Sequence, residues 1–322
     1  MLAELDCLLS LAACAREYSL VKPTLTEQSV LEVKGGRHPL LHLVVSQLVP
    51  NDCALGGADG KRLCLLTGPN ASGKTVYLRT VALVAYLAHV GSFVPADAAT
   101  VGLTDAIFTR MHSAESSAIA SNGFMHDLGQ MAAMLNKATS RSLCVIDEFG
   151  KGTNTQDGIC LLHASLQHLL DRGSGCPRTL ACTHFTELLG VDGFASHPRL
   201  TLWTMQVLLR QKEEGDDTLD DVVFLHRAVP GTSEDSFGWH CALSSDVPLE
   251  VIERARAVSR CRADGRPIAH YARDGERHAR AERSRVDVVN AFIEADFGGD
   301  DGAADKYFEA QRDAFRAIAG AA

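Results

Sequence analysis

The stretch that most constrains this chain runs from Leu63 to Leu78, LCLLTGPNASGKTVYL. An apolar run of strand type leads into Gly-x-x-x-x-Gly-Lys-Thr, and a helical pattern from Val76 to Val90 follows at once. With glycine at 68 and 73, successive backbone N–H groups can surround phosphate oxygens while the N-terminus of the helix turns its positive dipole end toward them. The phosphate-binding segment is therefore Gly68, Pro69, Asn70, Ala71, Ser72, Gly73, Lys74, Thr75 and Val76. Within it, Lys74 is placed to reach the β- and γ-phosphates and Thr75 to ligate Mg²⁺. A glycine turn without function is the weaker reading, because the strand-turn-helix context is the one this device requires.

A second apolar run, Leu143-Cys144-Val145-Ile146, ends in Asp147-Glu148. Nucleotide hydrolases place a metal-holding acid and a water-orienting acid at such a strand end, so Asp147 is read as a Mg²⁺ ligand and Glu148 as the catalytic base. The loop GKGTNTQDG comes next, with Asp157 suited to cap the following helix. A third run, Thr179-Leu180-Ala181-Cys182, ends in Thr183-His184. A lone histidine is usually structural. His184 gains weight from its position on the same sheet edge, as a group able to sense or hydrogen-bond the γ-phosphate.

Strand and helix patterns alternate from Leu63 to Cys182, with extended segments at 106–109, 143–146 and 179–182 and helical ones at 124–137 and 158–170. This argues for an α/β fold with a mainly parallel sheet and covering helices. Segments 200–209 and 222–229 read as a hairpin with the acidic stretch 213–221 as its solvated tip. Helical patterns follow around 239–243 and 248–258. Leu2, Leu5, Leu8, Leu9 and Ala12 predict a helix over residues 2–19 that buries one stripe, and with nothing before it to bury against, the chain is expected to be the tail of something longer. Val30 to Val33 is followed by a glycine loop at 35–39 and a mixed segment to Asn51.

Charge and cysteine use narrow the class. The net charge of −9 over 322 residues argues against a broad nucleic-acid grip on this chain's own surface, which needs clustered Lys and Arg. Ten cysteines include no Cys-x-x-Cys pair and no Cys/His ligand cluster, which fits free thiols in a reducing, intracellular compartment. Leu11-Ala12-Ala13-Cys14 mimics a lipoprotein cleavage box but lacks a basic leader, and no uncharged apolar run approaches a membrane span, so no membrane partner is expected.

The segments GPNASGKTVYLR, DEFGKGTNTQDG and CTHFTEL, in this order and spacing, resemble the C-terminal ATPase domain of the MutS family of DNA mismatch repair proteins. GRHP at 36–39, GSFVPA at 91–96, IFTR at 107–110 and GTS through SFG at 231–238 extend the resemblance over residues 1–262. DAIFTRMHSAES, IDEFGKGTN and the tail pieces GRPI and VVNAFIEADF are similar to the meiotic branch, MutS homologue five.

The resemblance implies a P-loop ABC-type ATPase that uses ATP and Mg²⁺ and works as a dimer. It places Asn70, Gly73, Lys74 and Thr75 at the nucleotide, Asp147 and Glu148 as the Walker B acids, His184 as the switch histidine and Asn154 on the dimer-facing loop. In the segment that touches the partner's nucleotide, Asn122-Gly123 stands where the family usually has Ser-Thr. Leu48 stands where an aromatic commonly lies near the adenine.

The implied organisation is the end of a lever helix at 1–22, the ATPase domain at 23–230, a helix-turn-helix dimerisation segment at 231–262 and a variable, partly disordered tail at 263–322. The implied role is that of an ATP-hydrolysing part of a DNA repair or recombination protein, acting in the nucleus in meiotic crossover formation. There it pairs with a MutS homologue four-like subunit as a clamp on branched DNA, gripped through domains absent from this chain, which is then a fragment, a truncated gene model or a cut-down paralogue. The alternatives are a mismatch-repair MutS protein and a catalytically impaired, nucleotide-binding dimerisation module, the latter favoured by Asn122-Gly123.

Overall fold

The computed structural model describes residues 2–45, 47–111, 123–210, 221–233 and 237–265. The chain divides into two compact units, Met1–Pro248 and Leu249–Ala322. In chain order the first unit contains α1 (Leu2–Glu17), β1 (Thr24–Thr26), β2 (Leu31–Gly36), α2 (Leu41–Val44), β3 (Asn51–Leu55), β4 (Leu63–Thr67), α3 (Lys74–His89), β5 (Ala98–Gly102) and β6 (Ile107–Arg110). It continues with α4 (Gly123–Lys137), β7 (Leu143–Asp147), α5 (Thr155–Leu170), β8 (Arg178–Cys182), β9 (Leu200–Arg210), β10 (Asp221–Pro230) and α6 (Gly238–Ser244). In the second unit the described element is α7 (Leu249–Ala263).

The larger sheet has the order β10-β9-β4-β8-β7-β6. Its five strands from β9 to β6 run parallel, and β10 closes one edge as the antiparallel arm of a hairpin with β9. β4, β7 and β8 are buried at every residue, as strands covered on both faces must be, and this is why their sequences read as unbroken apolar runs. Successive side chains still alternate between the faces. Cys64, Leu66 and Val145 pack with Tyr77, Val81, Val84 and Ala85 of α3, whereas Leu63, Leu65 and Ile146 pack with Met131 and Met134 of α4 and Leu162 and Leu166 of α5.

A second sheet, β1-β5-β2-β3, of mixed strand direction, covers the outer side of α3 with Leu31, Val33, Cys53, Leu55 and Val101. Residues 31–55 alternate imperfectly and are interrupted by α2, so the sequence reading there as a loop and mixed segment missed two strands. Arg178 ties the sheets together. Its guanidinium, fully buried at the start of β8, donates to the carbonyls of Val30 and Gly102 at 2.9 and 3.2 Å and to Thr104 Oγ1 at 2.9 Å.

The N-terminal helix forms as expected, but it does not bury its leucines: no residue of α1 is buried, and Leu2 is 84% exposed. The physical reason is that nothing in the described structure covers that side of the helix. The segments at 124–137, 143–146, 179–182 and the hairpin strands agree with the sequence within a few residues. Of the expected hairpin tip at 213–221, Asp221 instead begins β10; the rest of it, the segment at 234–236 and nearly all of the 263–322 tail lie outside the described residues. Among the described residues no helix is long and apolar enough to cross a membrane.

Candidate active site

The C-terminal ends of β4, β6, β7 and β8 lie side by side, the edge at which parallel α/β sheets bind ligands. From β4 the chain passes through Gly68 (φ 137°), Ala71 (φ 59°) and Gly73 (φ 100°) before α3 begins. Ala71 is left-handed without being glycine, a strained conformation of the kind that clusters at ligand-binding turns. No side chain caps the N-terminus of α3, so its first N–H groups face outward without a side-chain acceptor, as an anion-binding helix start requires. Ser72 Oγ donates to Pro69 O at 2.7 Å and shapes the turn. Asn70 is exposed at its tip.

Lys74 is buried, and its ammonium donates to Gly68 O at 2.9 Å and Pro69 O at 2.8 Å, folding back across the loop it follows. Burial pushes its pKa down, while Cys182 and Glu148 nearby oppose that shift. Thr75 Oγ1 donates to Asp147 Oδ2 at 3.0 Å, and Cys182 Sγ donates to Asp147 Oδ1 at 2.7 Å. A hydroxyl and a carboxylate thus converge where β7 meets α3. These hard oxygen donors suit Mg²⁺, which takes few protein ligands and completes its shell with water and phosphate. Among the described residues no group of three or more His, Cys, Asp or Glu could hold a metal alone.

Glu148 has φ 53° and turns away from the strand. Its carboxylate pairs with His184 Nε2 through one oxygen and with Lys151 Nζ through the other, and Lys74 Nζ lies 3.9 Å from the first. Burial alone would raise its pKa. The hydrogen bonds and charges of His184 and Lys151 outweigh that and bring it down to about 2, so it is ionised throughout the neutral range. Lys74 and His184 are themselves 3.5 Å apart. A cavity of about 500 Å³ opens in front of this cluster, lined among others by Thr75, Arg79, Arg110, Phe124 and Glu148.

Asn154 lies beyond the acid cluster and caps α5: its Oδ1 accepts from Gln156 N at 3.0 Å. The expected capping residue, Asp157, falls within the first turn instead, because the amide of Asn154 already satisfies the N-terminal donor. Gly123 begins α4 and lines the cavity with Phe124, whereas Asn122 lies outside the described residues. Val76 faces a second pocket, of about 250 Å³, on the other side of α3, shared with Leu48, Asn51 and His226.

Sequence reasoning gave no role to Arg110, Asp127, Lys151, Cys182 or His226. The first four stand in or beside quoted motifs, which was the available signal. His226 had none: it reaches the loop from an irregularity in β10, its Nδ1 3.0 Å from Ser72 O.

Residues 64–261 match MutS domain V. The chain belongs to the MutS family. It is 41% identical over 259 residues to the DNA mismatch repair protein MutS of Rhodopirellula baltica, covering 80% of this chain and 28% of that protein. It is 41% identical over 258 residues to MutS of Carboxydothermus hydrogenoformans, covering 80% and 29%. To the DNA mismatch repair protein MSH3 of Phaeosphaeria nodorum it is 40% identical over 260 residues, covering 80% and 22%. The chain thus spans under a third of the length of these relatives.

Proposed function

We propose that this chain binds Mg²⁺-ATP on the loop from Gly68 to Gly73 and hydrolyses it, as the ATPase module of a MutS-family DNA repair or recombination protein. The observation that carries the reading is the meeting of Lys74, Thr75, Asp147, Glu148 and His184 at one sheet edge, although they lie up to 110 residues apart in sequence. Lys74 exchanges the loop carbonyls for phosphate oxygens. Thr75 and Asp147 would hold a Mg²⁺ ion, whose chemistry there would be to neutralise charge on the phosphates. Glu148, ionised and turned toward the cavity, orients a water and takes its proton, and His184 holds that carboxylate in place. The adenine of the nucleotide enters the pocket of Leu48, Asn51 and His226 on the opposite side of α3.

The finer role we assign is meiotic: crossover formation in the nucleus, as a heterodimeric clamp with a MutS homologue four-like subunit. The support is the similarity of DAIFTRMHSAES, IDEFGKGTN and the tail segments to that branch. DNA contact then belongs to regions of the family's longer proteins outside the matched span. Mismatch repair is the second reading, favoured by the names of the relatives.

Equilibrium titration with a fluorescent ATP analogue tests the site. Lys74→Ala is expected to abolish binding, and an unchanged affinity would remove the basis for assigning this loop. Glu148→Gln is expected to bind ATP and not turn it over, and hydrolysis at the wild-type rate would exclude Glu148 as the base.

A further inference from the structure

Arg110, at the end of β6, has a role in none of the chemistry above, yet it is one of the most deeply buried charges in the protein, 3% exposed. One guanidinium nitrogen, Nη1, donates to the main-chain carbonyl of Asp147, and Nη2 pairs with the carboxylate of Asp127, itself buried on the first turns of α4. Its Nε is buried with no hydrogen-bond partner. Removing two charges from water costs several kcal/mol, and an apolar pair of similar volume often does as well or better for stability. Such a pair is better explained by the position it imposes than by the stability it adds.

What it fixes is the separation between two elements with different tasks. Asp147 is the metal-side carboxylate, and α4 begins at Gly123, the segment assigned to the partner's nucleotide. A second contact joins the same two regions from above. A Cβ on Gly152, in the loop after Glu148, would lie only 2.9 Å from Phe124 Cδ2, so the ring of Phe124 rests directly on that backbone. The start of α4 is therefore clamped to the acid strand at two points, below through Arg110 and above through Gly152.

We infer that Arg110 is a positioning residue that transmits Mg²⁺-nucleotide occupancy at Asp147 to the partner-facing helix α4 through Asp127. The inference rests on the nucleotide site proposed above and adds to it the path by which that site is felt at the dimer face. A shift of Asp147 on taking a metal ion would move its main-chain carbonyl as well. The guanidinium, with one bond to each group, would then carry that displacement into α4, which an apolar pair could not do because it has no directional bond to either group.

The test is hydrogen exchange along α4 in the Glu148→Gln background, with and without Mg²⁺-ATP, together with ATP affinity from titration and thermal midpoints. In the parent, Mg²⁺-ATP is expected to slow exchange in α4 by about tenfold, the scale of ordinary intersite coupling. The double variant Arg110→Met/Asp127→Leu is expected to fold with a midpoint close to the parent's, and at Mg²⁺-ATP concentrations that saturate each protein its α4 exchange is expected to respond less than about twofold. Asp127→Asn, which preserves shape and one acceptor, is expected to fall between and serves if the double variant does not fold. A parent-sized response in a folded variant overturns the relay. If the parent binds no Mg²⁺-ATP, the site assignment itself fails and takes the relay with it. If the parent binds nucleotide but α4 does not respond, the relay alone fails.

Discussion

Two glycines in covered helices respond oppositely to the same change. Gly158, in the first turn of α5, lies against Gly150: a Cβ built on Gly158 would stand 2.3 Å from Gly150 O and 3.0 Å from Gly150 C. Both are backbone atoms, so no side-chain rotation can make room. By helix propensity alone Gly→Ala should stabilise by about 1 kcal/mol. The clash works against it, since forced insertion into a packed contact costs about 1–3 kcal/mol and here the loop itself must move. With backbone contacts at 2.3 and 3.0 Å the cost falls in the upper part of that range, about 2–3 kcal/mol, so the contact wins and Gly158→Ala should destabilise by about 1–2 kcal/mol net. That lowers the melting temperature by roughly 2–8 °C in a unit of this size. Because the displaced loop carries Glu148 and Lys151, turnover should fall further than stability does. Gly129→Ala, in the middle of α4 with nothing within 4 Å of the added carbon, is the matched control and should raise stability by about 0.5–1 kcal/mol. Calorimetry of both variants, with a Mg²⁺-ATPase assay well below the transition, decides the matter. A Gly158→Ala protein as stable and active as the parent would refute the idea that this close approach sets the acid loop.

The remaining predictions concern charge, thiols and assembly. The depressed pKa of Glu148 contributes stability that is fully present above its ordinary value of 4.5 and lost as pH falls toward about 2, so urea melts of wild type and Glu148→Gln should converge across that window. A stability difference independent of pH would contradict the ion pairs described. Cys7 and Cys160 are exposed, whereas burial raises the pKa of Cys53, Cys64, Cys144, Cys176 and Cys182, so a thiol reagent at pH 8 should modify the first two quickly and the buried five only after unfolding. Rapid loss of Cys182 in the native protein, followed by peptide mapping, would show that the Asp147 region is open. In a heterodimer with a MutS homologue four-like subunit bearing Ser-Thr at the signature, the site on Lys74 should be the more active one. Separate Walker B substitutions test this, and loss of most activity from the partner's substitution rather than from Glu148→Gln would reject the asymmetry.

Much of this was legible in the chain because parallel strands covered on both faces leave an unmistakable pattern. Leu63 to Leu66, Leu143 to Ile146 and Leu180 to Cys182 have nowhere to place a polar side chain, so their ends can be read and the residues just beyond them fall on one edge. The second sheet was less legible, since β2 and β3 are half exposed and carry Glu32, Lys34 and Asp52 on their open side. The amphipathic stripe of α1 was visible, but a stripe records only that something apolar is preferred beside it and not that the neighbour is present. Long-range side-chain pairs were not legible. Arg110 with the Asp147 carbonyl and Cys182 with Asp147 depend on strand order, β8-β7-β6, which no local period encodes.

Adjacent acids at the end of β7 illustrate how backbone geometry separates roles that the sequence only juxtaposes. On a continuing strand, Asp147 and Glu148 would point to opposite faces, and one of them would be buried against a helix. The strand ends instead with Glu148 at φ 53°, a left-handed conformation that costs a non-glycine residue about 1–2 kcal/mol. That strain is held by a hydrogen bond from Glu148 N to Cys182 O at 3.0 Å and by His184 and Lys151 on the carboxylate. The turn keeps Asp147 inside, against Thr75 and Cys182, and swings Glu148 along the sheet edge toward His184 and the open cavity. In the proposed mechanism this leaves one acid to hold a cation and the other to meet a water. A sequence of two consecutive carboxylates can support both tasks only because the second residue leaves the strand.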